Sequence, residues 1–342
     1  DQIAAETGSY RNFENLAAGS ATVYLTVTTG NSGGLIVTGS GDDDVTVSAA
    51  NDDVSTGAGD DIINVTAATL NSAIDAGGNT GVGDTLNVLG GGTLGMSVTA
   101  VGIENVSLAV ATNFTANALS GLRITGSAGD DTITVGAGDQ VIGGAGGDDV
   151  IKVSDALLSG SLSVDGGAAN SSDTLQVTSD ATVIDNDFAQ VTSIELLQLT
   201  ADAADDAQSI ILGSLAEAGG LVAIDTTGAG ADDQVTIDAS AFTAALNINT
   251  GGAADHIVLG AGGSVVNAGG GDNTLTIGAA NDGIENDDIT TGSGDDYVLT
   301  TDAQLTANLG ISAGGGTDTL EVSSDASVVD AERWLLSSTS GR

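Results

Sequence analysis

The chain alternates short aliphatic segments with turns rich in glycine and aspartate, and in three blocks this alternation repeats every nine residues. The blocks cover residues 39–65, 127–153 and 251–286, and residues 292–300 repeat the unit once more. Most units begin with a Gly-rich turn, and an apolar residue lies three positions after the first acidic position. Such a fixed period predicts stacked structural repeats rather than separate globular domains. The apolar positions predicted to face the interior are Val45, Val54, Ile63, Ile133, Ile142, Ile151, Ile257, Val266, Leu275 and Ile284.

One nine-residue unit is interpreted as half a coil, made of one turn and one short strand. Glycine adopts positive φ without a steric penalty, so a G-x-G segment can turn tightly. The residues that follow are rich in Val, Ile and Thr and alternate in polarity, which is typical of a strand with one buried face. Two units make a full coil. The sequence therefore predicts an all-β fold, an elongated, right-handed parallel β-solenoid or β-roll with little helix.

The composition indicates a thin aliphatic core and excludes several functions. Phe, Trp and Tyr number only eight of 342 residues, whereas 41% of the chain is hydrophobic. Asp and Glu number 47 against five Lys and Arg, so the net charge is −42 and nucleic acid is not an expected partner. No apolar stretch approaches the ~20 residues that span a bilayer, so membrane insertion is not expected. The absence of Cys excludes disulfides and thiolate metal sites.

Acidic side chains recur at one position of the turns, and this spacing predicts a metal site. Turns on the same edge are two units apart, and stacked strands are about 4.8 Å apart, so successive coils bring carboxylates close together. A column of uncompensated carboxylates would repel itself. Ca²⁺ would remove the repulsion, because it takes oxygen ligands from carboxylates and backbone carbonyls with loose geometry. Mg²⁺ requires a stricter octahedron, and Zn²⁺ prefers His or Cys. The pairs predicted to stack are Asp43 over Asp61, Asp131 over Asp149, and Asp255 over Asn273.

The turns on the opposite edge are less acidic. Their equivalent positions are Asp52, Gln140 and Ser264, so one carboxylate is kept and two are replaced by neutral side chains. A continuous metal column is therefore predicted along one edge, with a sparser and weaker one along the other. His256 follows its acid by one position, where side chains point outward, and it is expected to be a solvated surface residue rather than a ligand or catalyst.

The nonapeptides resemble the GGxGxDxUx repeat of RTX (repeats-in-toxin) proteins, which form parallel β-rolls in type I-secreted bacterial toxins, adhesins, surface-layer proteins and accessory modules of secreted enzymes. The resemblance implies that several Ca²⁺ ions bind to the acid that closes each turn and to the turn glycines. This chain departs from the pattern at Gln140, Ser264 and Asn273. The metal-binding residues carried over are Asp43, Asp52, Asp61, Asp131, Asp149, Asp255, Asp282 and Asp296, with Gly39, Gly41, Gly57, Gly59, Gly129, Gly147, Gly292 and Gly294.

A longer module surrounds the nonapeptide blocks. Each block is followed by a D-T-L-x-V segment, whose acids Asp84, Asp173 and Asp318 are expected either to bind calcium or to cap a turn. An Ile-Glu-aliphatic segment comes next, and the whole arrangement resembles the solenoid regions of bacterial surface-layer proteins and RTX adhesins. Asp318 is kept as a further candidate ligand. The predicted boundaries are 1–30 for the end of a preceding module, 31–110 for module 1, 111–200 for module 2 and 201–342 for an extended module 3, all within one continuous solenoid that is expected to be a segment of a longer chain.

These features predict a structural calcium-binding protein at the bacterial cell surface, outside the cell and exported by a type I system. Its copies would self-assemble into a surface-layer lattice, with cell-surface polysaccharide as a further candidate partner, and both folding and assembly would require Ca²⁺. No enzyme activity is expected, because the acidic pairs recur in most coils whereas a catalytic carboxylate pair needs one special environment. Two alternatives stay open: the extender region of a secreted RTX adhesin, and a non-catalytic RTX module of a secreted toxin or hydrolase.

Overall fold

The computed structural model has the predicted all-β fold, a parallel β-solenoid. Among the described residues, helix is found in a 3-10 helix at Asp185–Phe188, in a short α-helix, α1, at Ser214–Ala218, and at the single residue Gln304. No helix in this part of the chain has the length and apolarity needed to cross a membrane. The structure describes residues 8–13, 15–69, 73–95, 100–116, 118, 120–158, 161–168, 171–179, 182–200, 207–230, 233–278, 287–301, 304–305 and 309–323.

The chain divides into two compact units. The first comprises Asp1–Lys152 with Ser161–Asp173, and the second comprises Val153–Gly160 with Thr174–Arg342. This division reflects spatial contacts, whereas the predicted module boundaries reflect sequence repeats. Those module boundaries therefore stay a prediction.

The first unit is built from short parallel strands in three sheets. The strands are β1 Gly8–Phe13, β2 Leu16–Ala21, β3 Leu25–Thr29, β4 Leu35–Gly39, β5 Asp44–Thr46, β6 Asp53–Gly57, β7 Ile62–Val65, β8 Ala73–Asp75, β9 Thr85–Val88, β10 Gly92–Gly95, β11 Asn105–Leu108, β12 Thr112–Thr115, β13 Arg123–Thr125, β14 Thr132–Thr134, β15 Val141–Gly143, β16 Val150–Val153 (its last residue belongs to the second unit) and β17 Ser163–Asp165. Within this unit, sheet 1 has the order β1-β3-β5-β7-β9-β11-β13-β15-β17, sheet 2 has β2-β4-β6-β8, and sheet 3 has β10-β12-β14-β16. Each strand pairs in parallel with the strand one coil away.

The second unit is also built from short parallel strands, which lie in two main sheets. The strands are β18 Thr174–Val177, β19 Thr182–Ile184, β20 Val191–Thr192, β21 Leu196–Thr200, β22 Gln208–Ile211, β23 Ala223–Gly228, β24 Val235–Asp238, β25 Asn247–Asn249, β26 His256–Val258, β27 Val265–Asn267, β28 Thr274–Thr276, β29 Asp288–Thr290, β30 Tyr297–Thr300, β31 Gly310–Ser312 and β32 Thr319–Val322. Sheet 4 has the order β18-β21-β23-β25-β27-β29-β31, and sheet 5 has β19-β22-β24-β26-β28-β30-β32. The pairs within both sheets are parallel.

The acidic turns of the first unit move from one corner of the coil to another. From β2 to β9 the chain alternates between sheets 2 and 1, and the acidic turns at 39–43 and 57–61 lead into sheet 1. From β11 to β17 the chain alternates between sheets 1 and 3, and the acidic turns at 126–131 and 144–149 lead into sheet 3. In the second unit, from β23 onward, the acidic turns lead from sheet 4 into sheet 5.

The interior is mainly aliphatic, as the nine-residue period predicts, with Phe114, Phe188 and Phe242 also buried. The predicted inward positions stack on one another, for example Val45 on Ile63 and Ile257 on Leu275. Burying each of these side chains stabilises the fold by roughly 1.5–3 kcal/mol. Ile284 lies outside the described residues. The predicted core residues found to be at most 3% exposed are Val45, Val54, Ile63, Ile133, Ile142, Ile151, Ile257, Val266 and Leu275.

Close stacking of the turns makes glycine necessary at Gly57, where φ is +102° and a Cβ atom would lie 1.9 Å from the carbonyl oxygen of Gly39. Gly57→Ala is expected to lower the free energy of unfolding by at least about 2 kcal/mol, because backbone strain and a backbone clash add together. Gly78→Ala is the control, because nothing lies within 4 Å of its Cβ position. Urea unfolding should show a change below about 0.5 kcal/mol for this control, and equal midpoints for the two variants would contradict the argument.

Candidate metal centre

A ladder of carboxylates runs along the turns that enter sheet 1. The backbone N–H of Leu25 donates to Asp43 Oδ1 at 2.8 Å, and the N–H of Asp43 donates to Asp61 Oδ1 at 2.6 Å. The N–H of Asp61 donates to Asp84 Oδ1 at 2.7 Å, and the N–H of Asp84 donates to Glu104 Oε2 at 2.9 Å. Each acid thus accepts a hydrogen bond from the preceding coil. The predicted stacking of Asp43 and Asp61 is confirmed, and we call this arrangement an inner ladder.

A second inner ladder lies at the turns that enter sheet 3. The N–H of Thr112 donates to Asp131 Oδ1 at 2.6 Å, and the N–H of Asp131 donates to Asp149 Oδ1 at 2.7 Å. The N–H of Asp149 continues the series to Asp173 Oδ1 at 2.8 Å. The predicted pair of Asp131 and Asp149 is confirmed, and Asp173 extends the column by one coil.

The third inner ladder belongs to the second unit and contains one amide. The N–H of Val235 donates to Asp255 Oδ1, and the N–H of Asp255 donates to Asn273 Oδ1, both at 2.9 Å. The N–H of Asn273 donates to Asp296 Oδ1 at 2.9 Å, and the N–H of Asp296 donates to Asp318 Oδ1 at 3.1 Å. The predicted stacking of Asp255 over Asn273 is confirmed. Asp318 is the last acid of this ladder among the described residues.

The first acid of each Asp-Asp pair forms an outer ladder that runs in the opposite direction. The N–H of Asp60 donates to Asp42 Oδ1 at 2.9 Å, and the N–H of Asp148 donates to Asp130 Oδ1 at 2.9 Å. The N–H groups of the next coil also donate to Asp60, Asp148 and Asp295. The two acids of a pair therefore differ in their hydrogen bonds. The outer acid accepts hydrogen bonds from the following coil, and the buried acid accepts one from the preceding coil.

The inner-ladder acids are buried, and several of them have one oxygen without a hydrogen-bond partner. Their exposed fractions are 2% or less, except at Glu104 and Asp318, which are half-buried. Leaving a buried carboxylate oxygen without a partner costs free energy, because the oxygen has lost its water and gained nothing in return. Asp233, beside the third ladder, has an unpartnered Oδ1. The ladder acids with an unpartnered Oδ2 among the described residues are Asp43, Asp61, Asp84, Asp149, Asp255 and Asp296.

The side chain of Asn273 reveals what surrounds this second position. Its Nδ2 donates to the carbonyl oxygens of Gly270 at 3.3 Å, Gly271 at 3.0 Å and Thr291 at 3.0 Å. The first two carbonyls belong to its own turn and the third belongs to the turn of the next coil. A carboxylate oxygen in the equivalent place faces backbone acceptors, so a hydrogen donor or a cation must lie between them. Oxygen ligands of this kind are those that Ca²⁺ prefers.

Threonine hydroxyls add another oxygen at four of these turns, five positions before the acid. The hydroxyl of Thr38 lies near the carboxyl of Asp43, but it donates its hydrogen to the carbonyl oxygen of Thr56 at 2.9 Å. Thr56 donates in the same way to Ala76 O at 3.0 Å. Thr250 and Thr291 repeat the contact in the second unit, with Ala268 and Ala313 as acceptors. The sequence signal is a Thr directly before the first turn glycine, which the predictions from sequence did not use.

Burial raises the pKa of the unpartnered acids. For Asp43, Asp61, Asp255 and Asp296 the direction is upward, with loss of hydration as the main cause and hydrogen bonds opposing it. Burial raises the pKa of Asp84 to about 6, and the charges of Asp61, Glu104 and Asp60 add to the rise. The pKa of Asp149 also rises to about 6 through burial, with Asp173, Asp131 and Asp130 contributing. Both effects disfavour a bare carboxylate at neutral pH.

Three acids of the same type have hydrogen donors on both oxygens. Asp131 Oδ2 accepts from the backbone N–H and the hydroxyl of Ser127 at 2.6 and 2.9 Å. Asp173 Oδ2 accepts from the Ser171 hydroxyl at 2.8 Å. Asp52 Oδ2 accepts from the Thr29 hydroxyl at 2.6 Å, and its Oδ1 accepts from a backbone N–H. These carboxylates need no further partner. Asp282, which was also predicted as a ligand, lies outside the described residues.

The opposite edge replaces the carboxylate with neutral hydrogen bonding. Gln140 Oε1 accepts from the N–H of Gly136 at 2.9 Å, and the Ser264 hydroxyl donates to Gly262 O at 3.3 Å. Both side chains are at most 3% exposed. Together with Asp52, they occupy the turns predicted to have the weaker column. Their internal hydrogen bonds leave less need for a cation at this edge than at the inner ladders.

The turn glycines predicted as ligands allow the backbones of neighbouring turns to approach closely. Gly41 has little room for a side chain, because its Cβ would lie 2.5 Å from Val23 O. Gly129 is less constrained, with only Ala111 Cβ nearby at 3.4 Å. That their carbonyls bind metal stays a prediction. Positive φ is found at Gly39, Gly57, Gly59, Gly147, Gly292 and Gly294.

The atoms that could bind a metal at these turns are mainly oxygens, and few of them in each turn are carboxylate oxygens. Within the described ranges, no group of three or more His, Cys, Asp or Glu side chains is arranged to hold an ion. A cation at an inner ladder would therefore depend largely on backbone carbonyls and hydroxyls, which suits Ca²⁺ rather than Zn²⁺. His256 lies at the start of β26 on the outward-facing row, as predicted.

Comparison with protein-family models, curated proteins and solved structures finds no match to this chain. The functional argument therefore depends on the geometry of the ladders and on the sequence pattern.

Proposed function

We propose that this protein is a calcium-binding β-solenoid of the bacterial cell surface, a structural component whose folding and self-assembly depend on Ca²⁺. The observation that supports it most directly is the set of buried, unpartnered Oδ2 atoms on the inner ladders. The three carbonyls around the Asn273 amide indicate the surroundings of these atoms. The RTX-like nonapeptides support the same proposal.

The residues that would hold each ion belong to two successive coils. In the coil of Asp61, they are the carboxylate Oδ2, the carbonyls of its own turn, the Thr56 hydroxyl and the carbonyl of Ala76 in the next turn. Ca²⁺ would supply two positive charges and a tolerant oxygen coordination. Because the ligands come from both coils, binding would connect the coils, and the free energy of binding would become free energy of folding.

Self-assembly into a surface-layer lattice is the activity that best fits this composition. The outer-ladder acids add a row of negative charge along the edges that hold the inner ladders, and the chain has only five Lys and Arg against 47 Asp and Glu. Copies of such a chain would repel one another without a bridging cation. Cell-surface polysaccharide is a second proposed partner, and location outside the cell with type I export follows from the RTX resemblance. We propose no enzymatic activity.

Adding millimolar Ca²⁺ to the purified chain is expected to produce ordered two-dimensional sheets in negative-stain electron micrographs. Magnesium at the same concentration should not do so, because its strict octahedron suits the mixed carbonyl ligands poorly. Monodisperse rods in calcium would instead support an adhesin extender and would overturn the lattice part of the proposal. An absence of calcium binding by isothermal titration calorimetry would overturn the whole of it.

A further inference from the structure

We propose that the amide of Asn273 takes the place of a cation, so that its coil needs no bound metal. The third inner ladder then contains separate metal sites on either side of Asn273. The inference depends on the proposed calcium function. It concerns which turns need the ion and which do not.

The hydrogen bonds of Asn273 carry the inference. Its Oδ1 accepts a hydrogen bond from the N–H of Asp255 at 2.9 Å, as Oδ1 of each ladder aspartate does from the preceding coil. Its Nδ2 stands where those aspartates have Oδ2, and it donates to Gly270 O, Gly271 O and Thr291 O. Asn273 is 1% exposed, so these bonds lie out of reach of bulk water. The amide N–H₂ group thus presents positive hydrogens to carbonyls that would repel a bare carboxylate oxygen.

The neighbours of Asn273 in the ladder have no hydrogen-bond partner at the equivalent side-chain atom. Asp255 and Asp296 keep Oδ1 in the ladder but leave Oδ2 buried and unpartnered. Each has a Thr five positions earlier, Thr250 and Thr291, whose hydroxyl hydrogen goes to the next coil. The equivalent residue before Asn273 is Ala268, which has no hydroxyl to contribute. The coil of Asn273 therefore lacks two of the oxygens that its neighbours offer.

This arrangement places a metal-independent coil between two metal-dependent ones. The N–H of Asn273 also donates to Asp296, so the coil is tied to both neighbours by hydrogen bonds that need no ion. It also separates the carboxylates of Asp255 and Asp296, so a neutral amide lies between two charges. The second unit is expected to retain β structure around this coil when calcium is low.

The test is the substitution Asn273→Asp in the full chain, with calcium counted by isothermal titration calorimetry. The variant is expected to bind one more Ca²⁺ than the wild-type chain, and in chelator it should keep less β signal in circular dichroism because a bare carboxylate replaces the amide. Asn267→Asp is the matched control. It makes the same change on an exposed side chain of the adjacent strand β27, where only a hydrogen bond to Asn249 is altered, and its calcium count should not change.

The reverse substitution, Asp255→Asn, keeps the test decisive if Asn273→Asp fails to fold. It should remove one Ca²⁺ and increase the β signal in circular dichroism that remains in chelator. An Asn273→Asp chain that folds in calcium but binds no additional ion would overturn the inference, and so would an Asp255→Asn chain with an unchanged calcium count. If the wild-type chain itself binds no calcium, the proposed function fails instead, so the two failures are distinguishable.

Discussion

Removing calcium at neutral pH is expected to unfold most of this β-solenoid. At a free calcium concentration of about 100 times Kd, each site stabilises the folded chain by about 2.7 kcal/mol. In the described part of the chain, six ladder aspartates have an unpartnered Oδ2, and six such sites amount to about 16 kcal/mol. That sum equals or exceeds the whole stability of a typical domain, about 5–15 kcal/mol. The folded state without metal must also keep buried carboxylates beside one another.

Circular dichroism and dynamic light scattering check this prediction directly. EGTA should abolish most of the β signal and increase the hydrodynamic radius, and excess Ca²⁺ should reverse both changes. A compact β-rich chain in EGTA at pH 7.5 would contradict the calcium requirement. Magnesium added to the EGTA sample is the control for ionic strength and for divalent charge.

One pair of variants tests the same prediction at a single turn. Asp149→Asn replaces an acid with an unpartnered Oδ2 by an amide that can donate to backbone carbonyls. Asp148→Asn makes the same change one residue earlier, where the side chain is exposed and its Oδ1 still accepts from Ser172. The first variant should lose one bound Ca²⁺ and resist EGTA better than the wild-type chain, whereas the second should match the wild-type chain in both respects.

Lowering the pH is expected to stabilise the chain when calcium is absent. The pKa of Asp84 and of Asp149 rises to about 6 in the folded chain because of burial, while an unfolded Asp has a pKa of about 3.9. The folded state therefore binds these protons more tightly. The resulting stability is fully present below about pH 3.9 and is lost as the pH rises through about 6. In EGTA, the β signal in circular dichroism should be larger at pH 5 than at pH 7.5.

The same pH change in saturating calcium should have the opposite effect. Protons then compete with Ca²⁺ for the carboxylates, so the calcium-loaded chain should lose stability as the pH falls from 7.5 to 5. Asp84→Asn removes one titrating group, and it should reduce the pH dependence measured in EGTA. Equal slopes with and without calcium would show that the buried ladder acids do not control stability.

The inward positions were predictable from sequence because the solenoid is nearly one-dimensional. A half-coil of nine residues places the same position over itself in alternate units, so Val45 must stack on Ile63 once the period is known. The stacking of Asp43 on Asp61 follows from the same arithmetic, and the hydrogen bond between them confirms it. These relations depend only on the repeat length and on the alternation of side chains along a strand.

The division of labour within an Asp-Asp pair was not predictable in this way. Asp60 and Asp61 are adjacent and chemically identical, yet Asp60 is partly exposed and accepts from the following coil, whereas Asp61 is buried and accepts from the preceding one. The repeat predicts that both lie in a turn. Which oxygen meets a donor depends on the path of the turn backbone in three dimensions.

The sequence by itself determined the solenoid class, the aliphatic core and the columns of stacked acids, because a period of nine and binary patterning act through local geometry. The tertiary structure alone decided which of those acids lack a partner. Asp131 and Asp149 occupy the same position of the same repeat, but Ser127 donates to Asp131 twice, and Asp149 Oδ2 has no donor. The difference arises because a hydrogen-bond donor must lie within about 3 Å in the right direction, and repeat length alone does not set that distance.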